Sequence, residues 1–187
     1  MEQRISIERL EQAVNIFGSF DENIRLLEQE FSVTVVNRDG ELRVEGEPED
    51  TMLAVKTALE NGCDTIYLYG GTGGKRLDHT LANLQTLLFI RRRGARGYLY
   101  DDDFVWTAVE NESLTIRREV EWGLFSAFCL GDRAEGIDEV GFQYPLENAS
   151  LTPEFPLGVS NHIVEETATI TVRSGALIVG WELPAQN

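Results

Sequence analysis

The chain has little of what marks several large classes of protein. Its 187 residues include only two cysteines, Cys63 and Cys129, which lie far apart. We therefore expect two buried thiols and neither a disulfide scaffold nor a cysteine-rich metal site. No apolar run reaches about 18 residues, and Met1-Glu2-Gln3-Arg4 lacks the basic and then apolar layout of a signal peptide. These absences predict a cytoplasmic protein with no membrane partner.

Positive charge is also scarce. Lysine and arginine total 16 against 32 aspartates and glutamates, which gives a formal net charge of -16 at pH 7. Nucleic acid and anionic membranes repel such a chain at long range, so neither is expected as a partner. Any anionic substrate must be met by local cations or by a divalent metal ion. The hydrophobic content of 42% is enough for a packed core.

Two familiar phosphate-binding loops are missing as well. In a Walker A register, Tyr69 occupies the first glycine position and Arg76 replaces the hydroxyl that binds Mg²⁺. In a dinucleotide-binding register counted from Gly71, Arg76 again falls on a required glycine. The chain is therefore predicted to contain neither a Walker A loop nor a dinucleotide-binding fingerprint.

A different glycine-rich turn is present. An apolar run, Thr65 to Tyr69, predicts a strand, and leucines at spacings of three and four predict an amphipathic helix after the turn: Leu77, Leu81, Leu84, Leu87 and Leu88. A helix N-terminus favours anions. Arg76, Asp78 and His79 add a guanidinium, a carboxylate and an imidazole, a set suited to a phosphorylated or phosphate-accepting substrate with a metal. The alternative is a tight strand-to-helix turn with Asp78 in the first helical turn.

The predicted fold class is α/β followed by all-β, in three parts. Residues 1–48 are predicted to form a small α+β segment, in which two amphipathic helices precede a hairpin of strands 33–36 and 42–44. Residues 49–100 are predicted to form a partial parallel α/β layer, and residues 101–187 an antiparallel β-sandwich. Asp101-Asp102-Asp103 is interpreted mostly as a solvated loop, because three consecutive side chains cannot all converge on one ion.

From about Asp50 onward the chain resembles bacterial thiamine pyrophosphokinase. Gly73-Gly74-Lys75-Arg76-Leu77-Asp78-His79-Thr80-Leu81-Ala82-Asn83 is similar to the family signature, with Lys75 as an extra or substituted residue. Residues 144–151 and 157–161 resemble the family's C-terminal motifs. The resemblance implies a homodimer of a nucleotide-binding α/β domain and a thiamine-binding sandwich. It also implies transfer of diphosphate from ATP to thiamine, with Mg²⁺ as cofactor.

The same resemblance suggests roles for individual residues. Arg76 would steady the transferred phosphates, and Asp78 would bind the metal or orient the thiamine hydroxyl. Asp50 would be a further catalytic metal ligand or, alternatively, only a helix cap. Trp181 would stack on a thiamine ring or, equally well, be a core residue. The remaining implied substrate-binding residues are Gly73, Gly74, His79, Asn83, Ser160 and Asn161.

Residues 1–48 fall outside this resemblance. They lack the family's Gly-Asp-Phe-Asp-Ser motif, whose two aspartates hold Mg²⁺, and residues 16–28 instead resemble the N-terminal segment of PhoH-like proteins. Three hypotheses follow. The chain is a thiamine pyrophosphokinase, a dimeric thiamine or thiamine diphosphate binder with weakened or no catalysis, or a PhoH-like nucleotide-binding protein.

Overall fold

The computed structural model describes residues 2–6, 34–38, 41–45, 48–72 and 76–184, with side chains from Thr51 onward. The two helices expected between residues 7 and 31 lie outside the described residues. Gly73, Gly74 and Lys75 lie outside them as well.

The N-terminal part contains a three-stranded antiparallel sheet. Its strands are β1 (Glu2–Ser6), β2 (Thr34–Arg38) and β3 (Glu41–Glu45), in the order β1-β3-β2. The predicted hairpin is therefore confirmed as β2 and β3, while β1 was not predicted. Strand β1 approaches β4 of the larger sheet described below, with Cα atoms within 8 Å, although the two strands belong to different sheets.

The next segment forms the predicted parallel unit. It consists of α1 (Pro48–Glu60), β4 (Thr65–Tyr69), α2 (Leu77–Arg92) and β5 (Arg96–Tyr100), and β4 pairs with β5 in parallel. Helix α1 packs against α2, and the core beneath them contains Val55, Leu68, Leu87, Ile90 and Leu99. The predicted apolar face of α2 is only partly buried, because Leu77 and Leu81 in its first two turns are 69% and 54% exposed.

A six-stranded mixed sheet carries β4 and β5 at one edge. The other members are β6 (Phe104–Glu110), β8 (Leu124–Cys129), β11 (Asn161–His162) and β13 (Ala176–Glu182), and the order is β11-β8-β13-β6-β5-β4. The sheet therefore runs without interruption across residue 100, where the sequence predicts a domain boundary. An α/β beginning thus continues directly into the β-rich part.

A four-stranded antiparallel sheet completes the predicted sandwich. It contains β7 (Ser113–Arg117), β9 (Ala134–Val140), β10 (Leu146–Leu151) and β12 (Thr167–Ser174), in the order β10-β9-β12-β7. Its inner face packs on the larger sheet through Ile137, Ile170 and Val172 against Phe125, Leu177 and Val179. Strand β9 was not predicted, because Gly136, at φ +65°, and three acidic residues break the apolar alternation.

The prediction that both cysteines are buried is wrong. Cys63 is exposed, since it lies in the turn between α1 and β4, and Cys129 at the end of β8 is only partly covered. Within the described part of the chain, no helix combines the length and apolarity that crossing a membrane requires.

Candidate functional site

The glycine-rich turn leaves the carboxyl end of β4 and enters α2. Gly70 has φ +69°, a conformation that glycine adopts without steric cost. Gly71 is buried, and a Cβ atom there would lie 2.6 Å from Leu99 Cδ1 and 3.0 Å from Asn83 Nδ2. Asn83 is 1% exposed and donates a hydrogen bond to the Gly71 carbonyl oxygen at 2.9 Å. The close approach therefore requires a glycine, and Asn83 fixes the turn on the helix.

Arg76 and Asp78 form a forked ion pair at the start of α2. Arg76 Nε lies 2.9 Å from Asp78 Oδ1, and its NH2 nitrogen lies 2.6 Å from Oδ2. Both side chains remain more than 60% exposed. The Arg76 hydrogen bonds lower the pKa of Asp78 from 3.8 to about 2. Asp78 is therefore an anion at neutral pH, able to hold a cation or orient a donor but poorly suited to remove a proton.

The other predicted residues of this end are placed as follows. His79 is half-buried in the first turn of α2 and makes further interactions. Thr72, which was not predicted, has a buried hydroxyl oxygen without a hydrogen-bond partner in the described structure. Asp50 lies in the first turn of α1, and its side chain is not described. The turn thus combines an ion pair with a buried hydroxyl that has no hydrogen-bond partner among the described residues.

An acidic turn lies at the same edge of the sheet. Tyr69 and Tyr100 are paired at the carboxyl ends of the parallel strands β4 and β5, so Gly70 and Asp101 follow at neighbouring positions. Ligands of open α/β sheets bind at the carboxyl ends of strands. The sequence interpretation treated residues 101–103 as a solvated loop. The signal that could have drawn attention to Asp101 is an acidic residue directly after the second parallel strand.

The described side chains do not by themselves form a magnesium centre. Among them, no group of three or more His, Cys, Asp or Glu residues is placed to hold a metal ion, and Asp78 is engaged by Arg76. Because Mg²⁺ prefers several oxygen ligands, no chemical step is assigned to a metal from these residues.

A second group of predicted residues lies at the far edge of the larger sheet. Ser160 has φ +62°, and its N–H donates to Ser126 Oγ at 3.1 Å. Asn161 is 5% exposed, and its Nδ2 donates to Glu139 Oε2 and to the Tyr144 carbonyl oxygen, both at 2.8 Å. Both hydrogens of the Asn161 amide are therefore used inside the protein, which makes Asn161 a residue that shapes the turn.

Trp181 shares a row of the sheet with Asn161. Trp181 pairs with Phe125 of β8, and Phe125 pairs with Asn161 of β11. Directly opposite residues project from the same face of a sheet, so Trp181 and Asn161 face the sandwich interior with the buried Phe125 between them. Trp181 is partly buried and packs on the sandwich core, as expected if it is a core residue. Its stacking on a thiamine ring stays a prediction.

The same row reaches the glycine-rich turn. Consecutive pairings connect one residue from each of the six strands: Tyr69, Tyr100, Val105, Trp181, Phe125 and Asn161. With neighbouring strands about 4.8 Å apart, five spacings separate the two ends by about 24 Å. Reacting atoms must approach to about 3.5 Å. Within one chain, the two groups of predicted residues are therefore too far apart to contact the same small substrate.

This geometry defines an α/β protein whose glycine-rich turn is joined through one sheet to a β-sandwich. Two family models match consecutive parts of the chain. Thiamin pyrophosphokinase, catalytic domain, matches residues 15–99, and thiamin pyrophosphokinase, vitamin B1 binding domain, matches residues 112–177. The two matches together support assignment of the chain to the thiamin pyrophosphokinase family. The first begins well before Asp50, where the sequence resemblance began, and it overlaps the segment compared with PhoH-like proteins, a comparison that gains no support.

Individual proteins agree with these matches. The thiamine pyrophosphokinase of Bacillus subtilis (strain 168) is 28% identical over 137 residues, which are 73% of this chain and 64% of that protein. The crystal structure of a Bacillus subtilis thiamine pyrophosphokinase has a TM-score of 0.66 at 27% identity, covering 72% of this chain and 63% of the other. A Geobacillus thermodenitrificans thiamin pyrophosphokinase structure shares the fold, with a TM-score of 0.65 at 24% identity and coverages of 88% and 73%. The chain thus spans slightly less than two thirds of the first two proteins.

Proposed function

We propose that the chain is a thiamine pyrophosphokinase that transfers diphosphate from ATP to thiamine. The main support for the proposal is that the two family matches coincide with successive parts of the fold. The catalytic-domain match covers the βαβ unit with Arg76 and Asp78, and the vitamin B1 match covers most of the sandwich with Ser160 and Asn161.

In the proposed reaction, the thiamine hydroxyl oxygen forms a bond to the β-phosphorus of ATP. The bond from that phosphorus to the oxygen bridging the α-phosphate breaks, AMP leaves with the electron pair, and the hydroxyl proton passes to solvent. Arg76 would neutralise charge on the transferred group, and Asp78, which is ionised, would hold Arg76 in place or orient the hydroxyl. Positioning and charge neutralisation of this kind supply most of the catalysis in phosphoryl transfer.

A homodimer is part of the proposal. Because about 24 Å separates the glycine-rich turn from Asn161 along the sheet, thiamine held near Ser160 of one chain would react at the turn of a second chain. Mg²⁺ as the metal that accompanies ATP, Asp50 and Asp78 as its ligands, and the cytoplasm as the location are further parts of the proposal. Its test includes measuring whether activity requires added Mg²⁺ and whether the protein sediments as a dimer.

The second candidate is a thiamine-binding dimer without phosphoryl transfer. The sequence observation behind it is the missing Gly-Asp-Phe-Asp-Ser motif, whose two aspartates hold Mg²⁺ in the family that the chain resembles. Formation of AMP from purified protein, ATP, thiamine and Mg²⁺ separates the two candidates. Thiamine-dependent AMP would support the kinase, whereas tight thiamine binding in calorimetry without AMP would support the binder. Absence of both from folded protein would contradict both.

A further inference from the structure

One carboxyl group is buried inside the sandwich. Glu139 on β9 is 1% exposed, and its backbone partners on the neighbouring strands are Leu146 and Ile170. Its Oε2 accepts the 2.8 Å hydrogen bond from Asn161, whereas Oε1 is buried and has no partner among the described residues. Glutamate is almost never fully buried without a paired charge. Glu139 therefore calls for an explanation beyond packing.

Glu139 anchors two turns through Asn161. The Asn161 Nδ2 that contacts Glu139 also donates to the Tyr144 carbonyl oxygen, while Asn161 Oδ1 accepts from the backbone N–H groups of Tyr144 at 3.0 Å and of His162 at 2.9 Å. His162 in turn places Nδ1 2.7 Å from the Trp122 carbonyl oxygen. Tyr144 and Trp122 are 62% and 54% exposed. A buried acid thus sets the position of an exposed aromatic surface.

We propose that Glu139 is a positioning residue for thiamine binding: in its neutral form it holds Asn161 and the turns of Tyr144 and His162, and ionisation of Glu139 loosens them. This inference rests on the proposed function for the identity of the ligand. The coupling between Glu139 and the two turns is independent of the proposed function.

The surroundings of Glu139 favour the neutral form. Strands β10 and β12 place apolar residues opposite it, and the neighbouring Asp138 pairs with Arg173 and accepts from the Asn148 N–H. The titratable group beside Asn161 is His162, whose ring nitrogen is engaged with Trp122. No described cation forms an ion pair with Glu139. Burial raises the pKa of Glu139 from 4.5 to about 7, although the Asn161 hydrogen bond acts in the opposite direction.

The wild-type protein tests the coupling without a ligand. The carboxyl ¹³C shift of Glu139 and the amide shifts of Tyr144 and His162 should change with pH at one common midpoint near neutrality. Thiamine affinity by calorimetry should fall severalfold between about pH 6 and about pH 8.5. A carboxyl midpoint near the ordinary value for glutamate, or amide shifts that do not follow it, would overturn the proposal.

Two variants separate Glu139 from other titrating groups. Glu139→Gln keeps an acceptor for Asn161 but cannot ionise, so it should bind thiamine with an affinity that no longer falls over this pH range. Glu135→Gln changes a 59% exposed side chain on the same strand and should keep the wild-type profile. A pH step that survives in Glu139→Gln does not come from Glu139 and contradicts the proposal. If the wild type binds no thiamine at any pH, the proposed function fails, while the ligand-free shifts still decide the coupling.

Discussion

A carboxylic acid with a hydrogen-bond donor lies beside each end of the large sheet, Asp78 on α2 and Glu139 on β9, yet their surroundings are opposite. Asp78 is exposed beside a guanidinium, and its pKa falls to about 2. Glu139 is enclosed beside a neutral amide, and its pKa rises to about 7. The pairing partner stabilises the anion at the first end, and the missing solvent disfavours it at the second. The chain therefore keeps a permanent charge at the turn and, under the sandwich surface, an acid that is only partly ionised near neutral pH.

This contrast suggests how the proposed chemistry is divided. Polyphosphate needs charges that persist at every physiological pH, which an exposed Arg76–Asp78 pair provides. A cationic ring system needs a shaped, partly apolar surface, which the network of Glu139, Asn161 and Tyr144 supports from beneath. The following predictions test the comparison from its largest expected effect to its smallest.

The largest effect is expected at the turn. Asp78→Asn keeps the shape of the side chain but removes the charge that holds Arg76, so the rate of AMP formation should fall on the order of 10²-fold or more. Steady-state kinetics with saturating ATP and thiamine measures this change. The control is Asp132→Asn, an exposed residue of the β8–β9 connection, which should retain full activity. Unchanged turnover in Asp78→Asn would mean that the active site lies elsewhere.

The second effect concerns stability at the sandwich end. Because the pKa of Glu139 is raised on folding, folded protein binds more protons than unfolded protein between about pH 4.5 and about pH 7. Below the unfolded pKa of Glu139, this residue therefore does not lower the free energy of unfolding. As pH rises from there through the folded pKa, the free energy of unfolding falls by about 3 kcal/mol at most. Urea unfolding at several pH values should show this fall in wild type and in Glu135→Gln but not in Glu139→Gln. An equal fall in Glu139→Gln would remove the contrast between the two acids.

Much of the fold could be predicted because its signals are local. The strand Thr65–Tyr69, the helix after the turn and the β2–β3 hairpin each follow from periodicity and turn residues, and the structure confirms them. Strand β9 was not predicted because Gly136 and three acidic residues interrupt its apolar alternation, and one of these acids, Glu139, faces inward and accepts a hydrogen bond from Asn161. Sequence periodicity cannot show such a pairing across 22 positions.

The candidate site was predicted less completely than the fold. Arg76 and Asp78 could be identified from neighbouring residue types, and the structure joins them in an ion pair. Asn83 and Asn161 were expected to bind substrate; the structure shows that each amide holds a turn, and their contact with substrate stays a prediction. The separation of the two ends by five strand spacings depends on strand order, which local sequence does not encode.

A smaller effect should test the fit of the turn against α2. Gly71→Ala places a Cβ atom 2.6 Å from Leu99 Cδ1 and close to Asn83, so side chains must shift at a cost of about 1–3 kcal/mol. Gly131→Ala is the matched control, because no atom lies within 4 Å of a Cβ at that position. Chemical denaturation of both variants gives the comparison. Equal stability of the two would show that the packing around Gly71 is looser than its contacts indicate.

The smallest effect is the acid limb of the stability curve. The pKa of Asp78 is lowered on folding, mainly by Arg76, so its contribution is present above the unfolded pKa of 3.8 and is lost as pH falls through about 2. The slope is opposite in sign to that of Glu139. Because solvent screens this exposed pair, Arg76→Gln should flatten the acid limb only slightly in acid titrations followed by circular dichroism. The control is Arg117→Gln, which removes an exposed 4.0 Å pair with Glu166 and should leave the acid limb unchanged. If Arg76→Gln flattened the curve near neutrality instead, the two acids would not be independent, and the separation of the two ends by the sheet would no longer explain their behaviour.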